Sequence, residues 1–335
     1  WMDPLPAILM PHEVLEAQAP AVAFGLLDVP EEQRRDVAIF DPVVHGNLLV
    51  VGGHHSGKTG VLAALAHGSD RTLVVPSSIE GAWDAVTEAL SLIQGGPNPT
   101  IVLFDDVDEL LGRMPPDHES AFAERLSRLA REGPRLGLTL VLTAGNIRGR
   151  LQSIAALCES TLFLRMSGKQ EHAFAGGSPA DYLPDLVPGG GMWRGHRVQV
   201  ALAEAMPESF ARPLQELAVA PGLPLAVISS RPAAIRARLE SLGTVRLLGS
   251  QHRPSDELSV DAEHTVLLGD PDAWQSAFGV LASLRAKARL VFHDCSVADY
   301  RAISRSREIP PPVDSVDAVV VLDPDGTVFR AMLPS

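Results

Sequence analysis

Residues 52 to 59 run Gly52-Gly53-His54-His55-Ser56-Gly57-Lys58-Thr59, a complete G-x-x-x-x-G-K-[ST] pattern followed by Gly60. A loop of this type turns successive backbone N–H groups onto phosphate oxygens and aims a helix N-terminus at them. Gly52 and Gly57 give the backbone a path and an approach that a side chain would obstruct. Lys58 supplies the cation for the phosphates and Thr59 a hydroxyl for Mg²⁺. The apolar run Ile101-Val102-Leu103-Phe104 ends in Asp105-Asp106, which lies 46 positions after Thr59. Asp105 is the second candidate for Mg²⁺, held through water. Asp106 stands where a carboxylate would polarise the attacking water, one methylene shorter than glutamate. Asp108 and Glu109 are alternatives, at the start of a helix that an acidic cluster would equally cap. Thr143 and Asn146 are candidate sensors of the γ-phosphate, the alternative being a strand-ending turn capped by Asn146. The neighbouring side chains of His54 and His55 are expected to diverge, with no third metal ligand in view. The ligand these residues predict is ATP or GTP with Mg²⁺.

Such residues need strands and helices to place them. Leu48-Leu49-Val50-Val51 predicts a buried strand before the loop, and Val61 to Ala66 a helix after it. Further strands are expected at 72–75, 101–104, 138–143 and 161–164, with helices near 79–93 and 119–131. Alternating strands and helices imply an α/β fold with a mostly parallel sheet covered on both faces. The strand of Asp105 is expected beside the loop strand, and the ligand at the carboxyl ends of both. The run Pro188-Gly189-Gly190-Gly191-Met192-Trp193-Arg194-Gly195, followed by 197–201, predicts an edge hairpin closing this domain.

The chain has 335 residues, 46% of them apolar and 21% charged, which describes a globular protein of one large core or two smaller ones. Cys158 and Cys295 are its two cysteines, so no disulfide framework is implied and a reducing cytosol fits. The absence of a long apolar run or signal peptide predicts a cytoplasmic protein. Because the chain begins at Trp1, it is expected to be part of a longer polypeptide, with room for a membrane anchor elsewhere. The net charge of −13 argues against DNA as the main ligand. A local basic face could still form from Arg125, Arg128, Arg131 and Arg135.

Residues 206–335 repeat the pattern of 1–205 without the loop. Leu225 to Ser229 and Ala233 to Leu239 parallel the loop strand and its helix, but the link between them is three residues shorter and holds no lysine. By the same spacing Val245 to Leu248 matches 72–75, and Asp270 falls beneath Asp105. Leu290-Val291-Phe292 matches 138–142, and the hairpin 319–329 matches 192–201. Asp270 is expected to cap the helix that follows it. The second unit should fold, with Ile235 and Leu239 in its core, and bind no nucleotide.

Several stretches resemble the FtsK/SpoIIIE ATPase family, most of all the EccC-type ATPases of type VII secretion. These are Phe24-Gly25-Leu26-Leu27-Asp28-Val29-Pro30-Glu31-Glu32-Gln33, His45 to Gly53, Ala130 to Thr143, Ser167 to Glu171 and Pro188 to Gly191, spanning roughly residues 20–202. The resemblance implies a RecA-like P-loop NTPase followed by a degenerate RecA-like domain lacking the phosphate loop. It also implies partners: further copies or neighbouring ATPase modules of the same parent chain, an arginine supplied in trans (Arg131 or Arg135), and a small helical secreted protein as substrate. Asp106, His54 and His55, and the short interval between Thr59 and Asp105 depart from the family pattern and predict slow turnover. Alternatives are a DNA-translocating ATPase and a nucleotide-binding regulator with negligible turnover.

Overall fold

The computed structural model describes residues 4–96, 99–203, 205–220, 222–248 and 265–335. The chain divides into two compact units, Trp1–Ala211 and Arg212–Ser335.

Among the described residues the first unit has nine strands: β1 (Val22–Val29), β2 (Arg34–Phe40), β3 (Leu48–Val51), β4 (Thr72–Val74), β5 (Thr100–Phe104), β6 (Leu138–Ala144), β7 (Ser160–Leu164), β8 (Gly190–Trp193) and β9 (His196–Val200). Its helices are α1 (Pro42–His45), α2 (Lys58–His67), α3 (Ile79–Gln94), α4 (Val107–Arg113), α5 (Pro116–Glu132), α6 (Leu151–Ala155) and α7 (Lys169–Phe174). The strands form one sheet in the order β2-β1-β9-β8-β7-β3-β6-β5-β4. From β7 to β4 every pairing is parallel; from β7 to β2 every pairing is antiparallel. Every residue of β3, β5 and β6 is buried, as strands covered on both faces must be, which is why they read as unbroken apolar runs.

One expectation is corrected by this order. The Asp105 strand β5 does not lie beside the loop strand β3, because β6 is inserted between them and pairs with both. That insertion brings Thr143, near the end of β6, between the loop and the aspartates.

Helix α2 packs its buried Val61, Leu62, Ala64, Leu65 and Ala66 into a cluster with Phe24, Phe40, Leu48, Val50, Leu103, Val141 and Trp193. Helix α3 begins where the Ser78 hydroxyl accepts the Gly81 N–H at 3.2 Å, a side-chain cap of the kind that starts helices. Asn47, fully buried before β3, bridges three elements. Its amide nitrogen donates to the carbonyls of Ala130 (2.8 Å) and Leu157 (3.2 Å), and its oxygen accepts the Leu140 N–H at 2.9 Å.

The second unit has β10 (Gln215–Glu216), β11 (Leu225–Ser229), β12 (Thr244–Leu247), β13 (Thr265–Gly269), β14 (Arg289–His293), β15 (Ala318–Leu322) and β16 (Val328–Met332). Its helices are α8 (Pro232–Leu239), α9 (Pro271–Ser276), α10 (Phe278–Leu284) and α11 (Val297–Ser304). The sheet order is β10-β16-β15-β14-β11-β13-β12, with β12, β13, β11 and β14 parallel. Ile235 and Leu239 are buried against Leu225, Val227, Val266 and Val291. The Asp270 carboxylate accepts the Ala273 N–H at 2.7 Å and caps α9.

Three correspondences drawn from spacing are overturned. β12 pairs with β13, in the place of β5 and not of residues 72–75. β14 pairs with β11 on one side and antiparallel with β15 on the other, which is the place of β7 and not of residues 138–142. β13 lies directly beside β11, so Asp270 ends a strand in the place of β6 and is not the counterpart of Asp105. The central parallel run has one strand fewer here, four against five among the described residues, which accounts for all three shifts.

Candidate nucleotide-binding site

The loop between β3 and α2 leaves the sheet at its carboxyl edge, as do Asp105, Asp106, Thr143 and Asn146. Its stem is fixed by two hydrogen bonds to neighbouring strands: Gly52 N–H donates to Ala144 O at 3.1 Å and Gly53 N–H to Arg165 O at 2.8 Å. His55 (φ 54°) and Gly57 (φ 101°) both take left-handed backbone. At Gly57 a side chain is excluded twice over, by that φ and because a Cβ would stand 2.5 Å from Gly189 N. At Gly60, inside α2, an added Cβ would meet nothing within 4 Å.

Lys58, its side chain only 11% exposed, donates to Gly52 O (3.2 Å) and Gly53 O (3.3 Å) and pairs with Asp106 Oδ1 at 3.2 Å. The ammonium is therefore held over the mouth of the loop by groups that phosphate oxygens can replace. Thr59 Oγ1 donates to Asp105 Oδ2 at 2.6 Å, and Thr143 Oγ1 donates to Asp105 Oδ1 at 2.7 Å. Thr143 also accepts the Asp106 N–H at 2.8 Å. The two residues expected to hold Mg²⁺ are thus in direct contact across 46 positions of chain. A hydroxyl and a carboxylate at one point are the hard oxygen donors Mg²⁺ takes, so the donor set fits that ion. Ser56 Oγ is buried against Gly52, without a hydrogen-bond partner among the described residues.

Asp106 starts α4 from left-handed backbone, φ 46°, which Asp tolerates better than most residues. Burial lifts its carboxyl above the ordinary carboxylate value, while Lys58 beside it pulls the other way. Asp108 belongs to the scaffold. Its carboxylate accepts the N–H groups of Gly145 (3.1 Å) and Asn146 (2.9 Å), tying α4 to the turn after β6. Asn146 is exposed and lines a cavity of about 280 Å³ with Ile147, Arg148, Met166 and Phe174. Of the two sensor candidates, Thr143 is buried and already bonded to both aspartates, whereas Asn146 reaches open space.

The imidazoles of His54 and His55 do not diverge as expected: the left-handed turn at His55 brings their ring centroids to 4.1 Å. Arg131, at the end of α5, and Arg135, in the turn at 134–136, are exposed at the edge where β6 begins. The seven residues of β6 put about 20 Å between that edge and the loop of the same unit. The basic face expected from this stretch is partly taken up internally. Arg125 lies over the Trp83 ring at 4.2 Å, and Arg128 pairs with Glu132 at 3.0 Å.

The equivalent edge of the second unit is closed by side chains. Ser229 Oγ lies 2.9 Å from His293 Nδ1 and accepts the Arg231 N–H at 3.0 Å, while His293 Nε2 lies 3.1 Å from Val316 O. Since that carbonyl only accepts, Nε2 carries the proton and Nδ1 accepts from the serine. Arg231 pairs with Asp294 at 2.8 Å. The short turn from β11 to α8 presents no backbone cradle.

No protein-family model matches the chain, and neither does any curated protein. Solved structures do. EssC ATPases 2 and 3 from Geobacillus thermodenitrificans align over 100% of both chains at 12% identity and a TM-score of 0.51. The cytoplasmic domain of the Thermomonospora curvata type VII secretion ATPase EccC aligns over 100% of this chain and 64% of its own, at 12% identity and a TM-score of 0.59. This chain therefore spans less than two thirds of that domain. Thermomonospora curvata EccC ATPases 2 and 3, in complex with a signal sequence peptide, align over 99% and 96% at 11% identity and a TM-score of 0.55. The chain has the RecA-like fold seen in these ATPase structures, with a G-x-x-x-x-G-K-[ST] loop in its first unit and no such pattern in its second.

Proposed function

We propose that the chain is an ATPase module of the FtsK/SpoIIIE type, most like the EccC ATPases of type VII secretion, and that its first unit binds Mg-ATP. One observation carries this reading: Lys58, Thr59, Asp105, Asp106 and Thr143 meet at one sheet edge, within 3.2 Å from partner to partner. Lys58 leaves its carbonyl and carboxylate partners for the phosphates. Thr59 and Asp105 would hold Mg²⁺, which would neutralise the phosphate oxygens. Gly52 to Gly60 form the cradle and the start of its helix. Asp106 and Asn146 face the γ-phosphate, Asp106 as the group that orients water.

Hydrolysis is slow in the isolated chain, because Arg131 and Arg135 lie at the far edge and could serve only another subunit. The partners are further copies or neighbouring ATPase modules. A small helical secreted protein is the substrate, in line with the signal sequence peptide bound to the Thermomonospora curvata relative. The module belongs to the cytoplasmic part of a membrane-anchored protein. Among the described residues no helix is long and apolar enough to cross a membrane. DNA translocation is disfavoured by the charge of −13 and by the internal engagement of Arg125 and Arg128.

Calorimetric titration with Mg-ATP tests the reading. A charged hydrogen-bond partner contributes about 1.5 to 3 kcal/mol, so Lys58→Ala should weaken binding about tenfold or more. Equal affinities for wild type and variant would refute it.

A further inference from the structure

The phosphate loop is backed by a segment that the site chemistry does not use. Residues 186–189, just before β8, lie against it. Gly189 N–H donates to Ser56 O at 2.8 Å, and Gly189 O accepts the Val200 N–H at 3.0 Å. The buried Gln199 amide donates to Pro188 O at 3.1 Å. Arg165, after β7, joins loop and segment. Its guanidinium donates to His55 O (3.3 Å) and Leu186 O (3.4 Å), while its own carbonyl accepts the Gly53 N–H.

The direction of these bonds matters. In a trans peptide the carbonyl of one residue and the N–H of the next point opposite ways. Tying His55 O outward turns the Ser56 N–H inward, where it meets Gly53 O at 3.3 Å and closes the crest of the loop. Tying Ser56 O to Gly189 turns the Gly57 N–H inward, toward the anion. An anion-binding loop needs its donors converged before the ligand arrives, since ordering them on binding would reduce affinity.

We infer that Arg165 is a positioning residue for nucleotide binding: with Gly189 it pins the outward carbonyls of the phosphate loop, holding the N–H cradle in its binding shape without touching the nucleotide. The same contact couples the cradle to β9, and through it to the antiparallel half of the sheet. This rests on the nucleotide-binding reading for its ligand, but the backing contacts can be tested without one.

The test compares the full chain with its Arg165→Ala variant in two measurements: amide hydrogen exchange without nucleotide, and calorimetric titration with Mg-ATP. Each is run with and without ethylguanidinium at a concentration that does not shift the melting temperature. The expected result is faster exchange at Gly189 and about tenfold weaker Mg-ATP binding, both restored by ethylguanidinium, at an unchanged melting temperature. Unchanged exchange at Gly189, or unchanged affinity despite faster exchange, would overturn the inference, as would a loss of affinity that ethylguanidinium fails to restore. If the alanine variant does not fold, Arg165→Gln, which cannot bridge both carbonyls, is read in the same way. A wild type that fails to bind Mg-ATP would instead overturn the nucleotide reading, leaving the exchange measurement to decide on the clamp.

Discussion

Asp106 holds its charge where burial opposes it, and this gives the site a pH signature. Its carboxyl value is raised in the folded chain, burial outweighing Lys58. Between the ordinary carboxylate value and the raised one the folded chain binds the extra proton, so stability falls as pH rises through that window. Asp106→Asn should therefore raise the melting temperature of the nucleotide-free protein at pH 7, and the gain should fade as pH falls to the ordinary carboxylate range. Scanning calorimetry at the two ends of that window checks it. An equal gain at both would assign the effect to the ease with which Asn adopts left-handed backbone. Thr143→Val tests the hydroxyl between the aspartates. It would strand the Asp106 N–H at a cost of about 1 to 3 kcal/mol, read as a lower urea midpoint. Lys58, Thr59 and Asp105 could be read from the sequence because the loop's chemistry fixes residue types at fixed spacing. Arg165 could not. Its partners His55 and Leu186 lie far from it in the chain, and only the sheet order brings them together.

At the scale of elements, the alternation of apolar runs with helical spacing predicted β3 to β7, the β8–β9 hairpin and helices α2, α3 and α5 within a few residues, but not β1, β2, α1, α6 or α7. It did not predict their order. Burial on both faces makes β3, β5 and β6 equally apolar, so nothing local tells which strand is inserted between the other two. The same ambiguity led β14 to be matched with the wrong strand of the first unit. Asn47 is the part of the sequence that does specify an arrangement. Its three side-chain hydrogen bonds, two of them buried, tie the start of β3 to β6 and to the carbonyls of Ala130 and Leu157. Asn47→Ala should cost about 3 kcal/mol or more, at about 1 kcal/mol for each bond lost. Urea unfolding followed by tryptophan fluorescence measures it. A change below 1 kcal/mol would mean that the strand order does not depend on this residue.

At the scale of the whole molecule the chain has two related folds, and in our proposal only the first holds a nucleotide. In the second unit the Ser229–His293 pair and the Arg231–Asp294 ion pair occupy the edge from which a loop would rise. Turnover should be slow, since an arginine supplied in trans contributes about 10³ to 10⁵ in rate in P-loop enzymes and a lone chain has none. Steady-state phosphate release below about one per minute is expected of a demonstrated monomer, and several per second would contradict it. The division of labour between the units is tested most directly by photo-crosslinking the full chain with an azido-ATP analogue and mapping the labelled peptides. Label is expected in peptides around 52–60 and their neighbours in the first unit, abolished by excess Mg-ATP. Label of equal strength around 229–236, competed in the same way, would contradict it.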